Sequence, residues 1–115
     1  MKEHIMKLTP SPFKMIRNGK KTIELRLYDE KRKCISSGDR ITFVNTDDEN
    51  EVLNVMVENL FVFSSFEELY KNLPLLECGY TENDVCKASP DDMEQYYSKD
   101  KQKQYGVVGI KIKLI

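Results

Sequence analysis

Alternation of apolar and polar residues is the feature that most limits how this chain folds. It is clearest over residues 21–27, where three aliphatic side chains alternate with polar ones: Ile23, Leu25 and Leu27. Because successive side chains of a strand point to opposite faces, a period of two predicts a strand with one buried face. Residues 105–114 alternate in the same way and predict a last strand. We therefore expect the core to be organised by a sheet.

The other segments predict a single domain in which strands and helices do not alternate regularly. Strands are predicted at 5–8, 40–44 and 52–63, short helices at 12–17, 66–73 and 90–97, and a polar loop at 99–104. Residues 75–88 fit neither pattern. The order β-α-β-β-β-α-(α)-β favours an α+β fold with a mostly antiparallel, curved sheet closing into a small barrel. A length of 115 residues is that of one domain.

Three local signals predict where elements start or bend. Ser11 followed by Pro12 predicts a helix N-cap with proline in the first helical position. Ser65, with Glu68 three residues later, predicts a second helix start. Residues 58–59 interrupt the long strand and predict a β-bulge there.

Charge is distributed unevenly along the chain. The 18 basic and 19 acidic residues give a net charge of -1. Residues 1–40 nevertheless carry +6, residues 41–98 carry -11 and residues 99–115 carry +4. Two basic segments that meet on one face of a fold can attract a polyanion despite a near-neutral total.

Several classes of protein are disfavoured by what the sequence lacks. No apolar run approaches the roughly 20 residues of a membrane span, and the N-terminus lacks the apolar stretch of a signal peptide. Cys34, Cys78 and Cys86 have no C-x-x-C spacing, which indicates reduced thiols without disulfide partners in a cytoplasmic protein. With His4 as the only histidine, a zinc site or a histidine-dependent hydrolase is disfavoured. No glycine-rich phosphate loop is present, and we expect neither a metal nor a cofactor.

The polar face of the strand at 21–27 carries the residues with the most chemical content. Glu24 and Arg26 lie two apart and share that face, and Lys21 stands at the mouth of the strand. A guanidinium offers a planar fork of donors, and a carboxylate accepts from exocyclic amines of bases. A partly buried lysine can become a base or a nucleophile. The same residues also fit a solvated strand face with an ion pair of little energetic weight.

These residues fill the pattern G-x-K-x-x-E-x-R, beginning at Gly19. Together with the block I-x-x-x-D-x-I-x-F at 35–43, which carries Gly38 before its aspartate, the pattern resembles the ASCH domain. The resemblance implies a single ASCH domain over residues 1–115 with a PUA-like fold, a small mixed or antiparallel β-barrel with flanking helices. It also implies a cleft beside the motif that binds short single-stranded RNA, a nucleotide or a nucleoside.

One bacterial branch that the chain resembles hydrolyses N4-acetylcytidine with a lysine, a threonine and a glutamate. Lys21 matches the lysine, whereas Glu24 stands at the threonine position and lacks its hydroxyl. Glu77 and Glu82 are the candidates for the glutamate. The resemblance therefore leaves two functions open: a binding module, or a metal-independent amidohydrolase with Lys21 as base or nucleophile and with Glu24 or a distal glutamate moving protons.

Further contacts to nucleic acid are predicted around the motif. The basic residues expected to meet phosphates are Arg17, Lys20, Lys31, Arg32 and Lys33. Tyr105, at the mouth of the last strand, is a candidate for stacking on a base. An exposed loop and a core-edge tyrosine are the alternatives for these residues. A protein-interaction domain that uses the acidic segment 41–98 is a third possible function.

Overall fold

Five strands form one mixed sheet in the computed structural model, which describes residues 1–115. The strands are β1 (Glu3–Leu8), β2 (Ile23–Leu27), β3 (Arg40–Asn45), β4 (Asp48–Phe63) and β5 (Val107–Leu114). Their order in the sheet is β1-β3-β4-β5-β2, with β1 parallel to β3 and the other pairs antiparallel. The sheet curls into a half-barrel whose two edges are β1 and β2. The α+β class expected from the sequence is confirmed.

Short helices and turns cover the sheet. The α-helices are α1 (Pro10–Arg17), α2 (Glu30–Lys33), α3 (Phe66–Asn72) and α4 (Lys99–Tyr105). Between α3 and α4 the chain forms three 3-10 turns: Leu75–Cys78, Val85–Lys87 and Pro90–Gln95. The segment that fitted neither periodicity is therefore built from single turns, which make too few repeats to leave a pattern.

Two expectations about helices are wrong and one is confirmed. Helix α1 begins at Pro10 after Thr9, so Ser11 lies inside its first turn. Ser65 does cap α3, since its hydroxyl accepts from the Glu68 amide at 3.2 Å. Residues 99–104 form α4 and not a loop, because Ser98 caps its first turn. Tyr105 consequently ends a helix and does not begin β5.

Strand β4 is longer than the sequence predicts and has the predicted bulge. It begins at Asp48, directly after a tight turn, and pairs with β3 and then with β5. Its register with β5 shifts between Val57 and Asn59. The bend at this bulge increases the local twist and lets one strand serve both halves of the curled sheet.

Two apolar clusters hold the helices on the sheet. The larger joins α1 to β1, β3, β4 and β5, and its most buried aromatic side chains are Phe13 and Phe43. The smaller joins β2 to α3 and the turn segment; its members are Ile23, Leu25, Leu27, Phe66, Leu69, Cys78, Met93 and Val107. Strand β2 is thus covered on the side that faces α3.

Candidate functional site

A cleft of about 510 Å³ opens where the half-barrel is left open. The end of β1, the start of α1 and β2 form one side, and α3 with residues 78–97 forms the other. This volume lies in the range of sites for small ligands, roughly 300–1,000 Å³. We call its two faces the strand wall (Lys7, Lys21, Glu24 and Arg26) and the tyrosine wall (Tyr70, Tyr80, Asp84 and Asp92).

Glu24 lies at the centre of an ion-pair network on the strand wall. Its side chain is only 5% exposed, and its Oε1 lies 2.8 Å from Lys21 Nζ. Its Oε2 accepts a hydrogen bond from Arg26 Nε at 2.8 Å and lies 2.8 Å from Arg26 Nη2 in the ion pair. A carboxylate with so little access to water is stable only when it is paired. The polar face of β2 is therefore an enclosed network and not a solvated strand face.

The two cations keep the Glu24 carboxyl ionised. Burial by itself raises the pKa of this carboxyl, but the charges of Lys21 and then Arg26 outweigh burial and hold the pKa below its ordinary value. Glu24 is consequently a carboxylate at neutral pH and a weak proton acceptor.

Arg26 also joins the two edges of the sheet. Its Nη2 donates to the main-chain oxygen of Lys7 at 2.9 Å, so the guanidinium spans the gap between β2 and β1. No strand pair joins β1 to β2 directly. The charged network therefore shapes the cleft as well as lining it.

A chain of hydrogen bonds organises the tyrosine wall. The Tyr80 hydroxyl donates to Asp92 Oδ2 at 2.7 Å and lies 2.7 Å from the Tyr70 hydroxyl, which then donates to it. The two rings meet edge to face with centroids 5.9 Å apart. Burial, followed by the bonds to Tyr70 and Asp92, raises the pKa of Tyr80. Both hydroxyls therefore stay protonated and link α3 to the turn segment.

The two walls approach each other at Gly79. Its φ of +114° lies in the left-handed region that glycine adopts without steric cost. A Cβ at this position would lie 3.4 Å from Lys21 Cδ and 3.6 Å from Lys21 Nζ, which are ordinary van der Waals contacts. The backbone conformation therefore requires glycine here, and the Lys21 side chain packs beside this turn.

Three further side chains line the cleft. Burial raises the pKa of the Cys78 thiol to about 11, so this cysteine is not a thiolate nucleophile at neutral pH. Tyr97 is half-buried and stacks on Phe66 with centroids 6.2 Å apart. Tyr96 is 66% exposed and leaves one aromatic ring free at the rim of the cleft.

A second polar cluster lies next to the cleft, at the start of β2, and consists of Thr22, Glu77 and Lys111. The Thr22 hydroxyl donates to Glu77 Oε1 at 2.7 Å, and Lys111 Nζ donates to the Thr22 hydroxyl at 3.0 Å. Lys111 also pairs with Glu77 directly. The main-chain amide of Thr22 donates to the Glu77 oxygen at 2.9 Å. Lys21 and Cys78 line the cleft, while Thr22 and Glu77 form this separate cluster.

The structure brings together some of the residues singled out from the sequence and separates others. Lys21, Glu24 and Arg26 converge in the cleft. Glu77 pairs with Lys111 in the second cluster and not with Lys21. Glu82 is exposed on the turn after Thr81 and does not line the cleft.

The outer basic residues and Tyr105 also lie outside the cleft lining. Arg17 and Lys20 are exposed at the end of α1, and Lys31 and Lys33 are exposed on α2. Arg32 folds onto its own helix, with Nη1 3.2 Å from Asp29 Oδ2. Tyr105 is half-buried and packs against the smaller apolar cluster, so its ring is not free to stack on a base.

Sequence reasoning missed the tyrosine wall entirely. Tyr70, Tyr80 and Asp92 lie 10 and 12 residues apart in segments of different structure, so no local spacing relates them. Lys7, which closes the strand wall, gave no signal either. The one available hint was that tyrosines and acidic residues are frequent over residues 70–97, where no run of basic residues occurs.

No helix in the structure is both long and apolar enough to cross a membrane. No group of three or more histidine, cysteine, aspartate or glutamate side chains is arranged to hold a metal ion.

Comparison with known proteins places this architecture in a family. The model of the ASCH domain matches residues 6–115. The crystal structure of a hypothetical protein superposes with a TM-score of 0.80 at 34% sequence identity, covering 100% of both chains. No curated protein matched the chain.

Two further solved structures are similar. A Pyrococcus furiosus protein determined by solution NMR has a TM-score of 0.74 at 33% identity, covering 98% of this chain and 97% of its own. The ASCH protein of Zymomonas mobilis has a TM-score of 0.69 at 18% identity, covering 97% of this chain and 67% of its own. The half-barrel with flanking helices is therefore the fold of ASCH and PUA-like domains.

Proposed function

The chain belongs to the ASCH domain family, and we propose that its cleft binds a short segment of single-stranded RNA or a nucleotide. The observation that carries the proposal is the presence of Lys21 and Arg26, held by a buried carboxylate, in the same cleft as an exposed ring, Tyr96. Cations and donors of this kind bind phosphate and base oxygens, and an exposed aromatic ring stacks on bases.

The network leaves donors available to a ligand. Lys21 has three N–H groups, and Glu24 accepts from the amine at one contact. Arg26 uses Nε and Nη2, which leaves Nη1 without a partner. Glu24 fixes the direction of both side chains, so the remaining donors are pre-positioned when a ligand arrives.

Outside the cleft, the exposed basic residues at the end of α1 and on α2 remain our proposed phosphate contacts. They are Arg17, Lys20, Lys31 and Lys33, with Arg32 held beside them by Asp29. The distribution of charge supports a short ligand, because the acidic segment limits the continuous basic surface.

RNA binding measured at two salt concentrations tests this proposal. We expect short single-stranded RNA to bind at low salt, and we expect Lys21→Ala with Arg26→Ala to weaken binding about tenfold or more. Lys113→Ala removes an exposed lysine that does not line the cleft and serves as the matched control. Amide chemical shifts of the unmodified protein give a second readout, which should map RNA to residues 21–27 and 79–80. Absence of binding at low salt, or binding that the double variant leaves unchanged, would contradict the proposal.

A second candidate function is an amidohydrolase acting on an acylated nucleoside such as N4-acetylcytidine. It is favoured by the position of the Lys21 amine, which is nearly buried in the cleft and 2.8 Å from a carboxylate oxygen. In one role Lys21 would polarise the acyl oxygen while water attacks the acyl carbon, and the bond to N4 would break with N4 taking a proton from that water. In the other role the Lys21 amine, after giving a proton to Glu24, would attack the acyl carbon and displace cytidine, whose N4 takes a proton relayed by Glu24; water would then cleave the acyl-lysine bond, release acetate and return the amine. The lowered pKa of Glu24 makes it a weak base and supports the polarising role.

Chromatography after incubation with N4-acetylcytidine separates the two functions. A hydrolase should release cytidine with the unmodified protein and lose that activity in Lys21→Ala. Lys21→Arg retains a cation but has no nucleophilic amine, so residual activity would favour the polarising role. If the unmodified protein and Lys21→Ala are equally inert, the hydrolase function fails for this substrate.

A further inference from the structure

The two walls of the cleft carry opposite charge. The strand wall has three cations, Lys7, Lys21 and Arg26, and one carboxylate, whereas the tyrosine wall has two carboxylates, Asp84 and Asp92, and no cation. The cleft as a whole is therefore close to neutral but strongly polarised. A ligand with anionic groups at both ends would be attracted by one wall and repelled by the other.

The hydrogen-bonding capacity of the walls is polarised in the same sense. Free donors remain on the strand wall, at Lys21 Nζ and Arg26 Nη1. Free acceptors remain on the tyrosine wall. Asp92 uses Oδ2 for Tyr80 and for the Ser89 amide, which leaves Oδ1 without a partner. Asp84 uses Oδ1 for Thr81, which leaves Oδ2 free.

A nucleoside matches this arrangement. Its base presents carbonyl and ring-nitrogen acceptors, and its sugar presents hydroxyl donors. Carboxylates commonly accept hydrogen bonds from ribose hydroxyls, and a hydrogen bond to a charged group is among the stronger kinds. The base would then meet Lys21 and Arg26, and the sugar hydroxyls would meet Asp84 and Asp92.

From this polarity we infer that the cleft takes a nucleoside with a free 2′,3′-diol, as found at the 3′ end of an RNA, with the diol on Asp84 and Asp92. This inference rests on the proposed binding of RNA or a nucleotide and specifies which part of the ligand enters. A nucleotide inside a chain carries a phosphate on its 3′ oxygen, where it would face two carboxylates. The terminal nucleoside carries a phosphate only on its 5′ side, where exposed Lys7 can neutralise it.

Matched oligonucleotides test the inference. A five-nucleotide RNA with a 3′ hydroxyl is compared with the same RNA carrying a 3′ phosphate, a 5′ phosphate or a terminal 2′,3′-dideoxy sugar. We expect the 3′ phosphate and the dideoxy sugar each to weaken binding about tenfold, and the 5′ phosphate to change it less than about threefold. Free cytidine and 2′,3′-dideoxycytidine, tested in parallel, show whether a lone nucleoside suffices. Equal binding with and without the 3′ phosphate would overturn the inference.

A variant of the tyrosine wall tests whether this wall causes the weaker binding of RNA with a 3′ phosphate. Asp84→Asn retains an oxygen for the Thr81 turn but removes the charge, so it should reduce the penalty of the 3′ phosphate by about threefold or more. Glu82→Gln makes the same change of charge two residues away and outside the cleft, and should leave the penalty intact. Equal effects of the two variants would show a general charge effect and contradict the assignment. If none of these RNAs or nucleosides binds, the proposed function itself fails; if all bind equally, only the assignment of the diol fails.

Discussion

Two carboxylates flank the start of β2, and each is held by a lysine and one further donor. Glu24 has a side chain only 5% exposed and bonds to Lys21 and Arg26, while Glu77 has a side chain 42% exposed and bonds to Lys111 and Thr22. The pairing is similar and the burial is not. Burial makes the loss of a partner costly and fixes the directions of the side chains, whereas water replaces the partners of an exposed pair. This difference in burial is the reason why we propose ligand binding at the Glu24 network and not at the Glu77 cluster.

The largest expected effect comes from emptying the buried position. Glu24→Ala leaves the ammonium of Lys21 and the guanidinium of Arg26 facing each other without their shared anion. We expect a loss of about 3–5 kcal/mol in the free energy of unfolding, measured by urea denaturation. Glu82→Ala, which removes an exposed carboxylate, should change stability by less than about 0.5 kcal/mol. A loss below about 1 kcal/mol for Glu24→Ala would contradict the claim that burial makes Glu24 more important for stability than Glu77.

Next in size is the strain of a side chain at a left-handed glycine of the cleft lining. Gly79→Ala should cost about 1–2 kcal/mol, because a Cβ is unfavourable at its positive φ. Gly38→Ala carries the same kind of strain at a φ of +93°, but Gly38 does not line the cleft. Both variants should lose similar stability by thermal denaturation, but only Gly79→Ala, whose strain falls on the cleft lining, should weaken RNA binding. Equal binding by the two variants would argue against a role for the residue 79 turn in the binding site.

Removing the exposed carboxylate should matter less. Glu77→Gln is expected to lower the free energy of unfolding by less than about 1 kcal/mol, because water can solvate Lys111 once the ion pair is lost. This difference from the unmodified protein should shrink further in about 1 M salt, whereas the loss in Glu24→Ala should persist. A salt-insensitive loss as large as that of Glu24→Ala would make the two clusters equivalent.

The smallest effect is the pH dependence of the difference in unfolding free energy between the unmodified protein and Glu77→Gln. Hydrogen bonds from Lys111 and then Thr22 lower the pKa of the Glu77 carboxyl. Its contribution to stability is therefore complete above the unfolded-state value, about 4.3, and is lost as the pH falls through the lower folded-state value. Denaturation of the unmodified protein and Glu77→Gln from about pH 6 to about pH 3 should show the difference declining toward the acid end. A difference that grows in acid would contradict this sign.

Local patterns predicted the sheet well but not the covering of β2. Ile23, Leu25 and Leu27 are buried as their alternation predicts. Alternation also predicted that Glu24 and Arg26 share a face, but it could not say whether that face meets water. The answer depends on residues 75–97, which fold as isolated turns whose positions are set by tertiary contacts such as the main-chain bond from Thr22 to Glu77.

The candidate site divides in the same way. Lys21, Glu24 and Arg26 could be identified because they lie close together on one strand and match a known motif. Tyr70, Tyr80 and Asp92 could not be, because their relationship exists only after α3 and the turns have packed together. Arg32 shows that residues close together in sequence can also mislead. The basic run at 31–33 suggested three free cations, but the N-cap residue Asp29 forms an ion pair with the middle one, Arg32.

The opening of the half-barrel is spanned by one side chain rather than by a row of main-chain hydrogen bonds. Arg26 reaches across to the Lys7 main-chain oxygen and also partners the buried carboxylate of Glu24. A shorter residue at this position would lose the link between the two sheet edges and leave Glu24 with Lys21 alone. The link across the opening and the charge balance of the cleft therefore depend on the same side chain, so neither can change without the other.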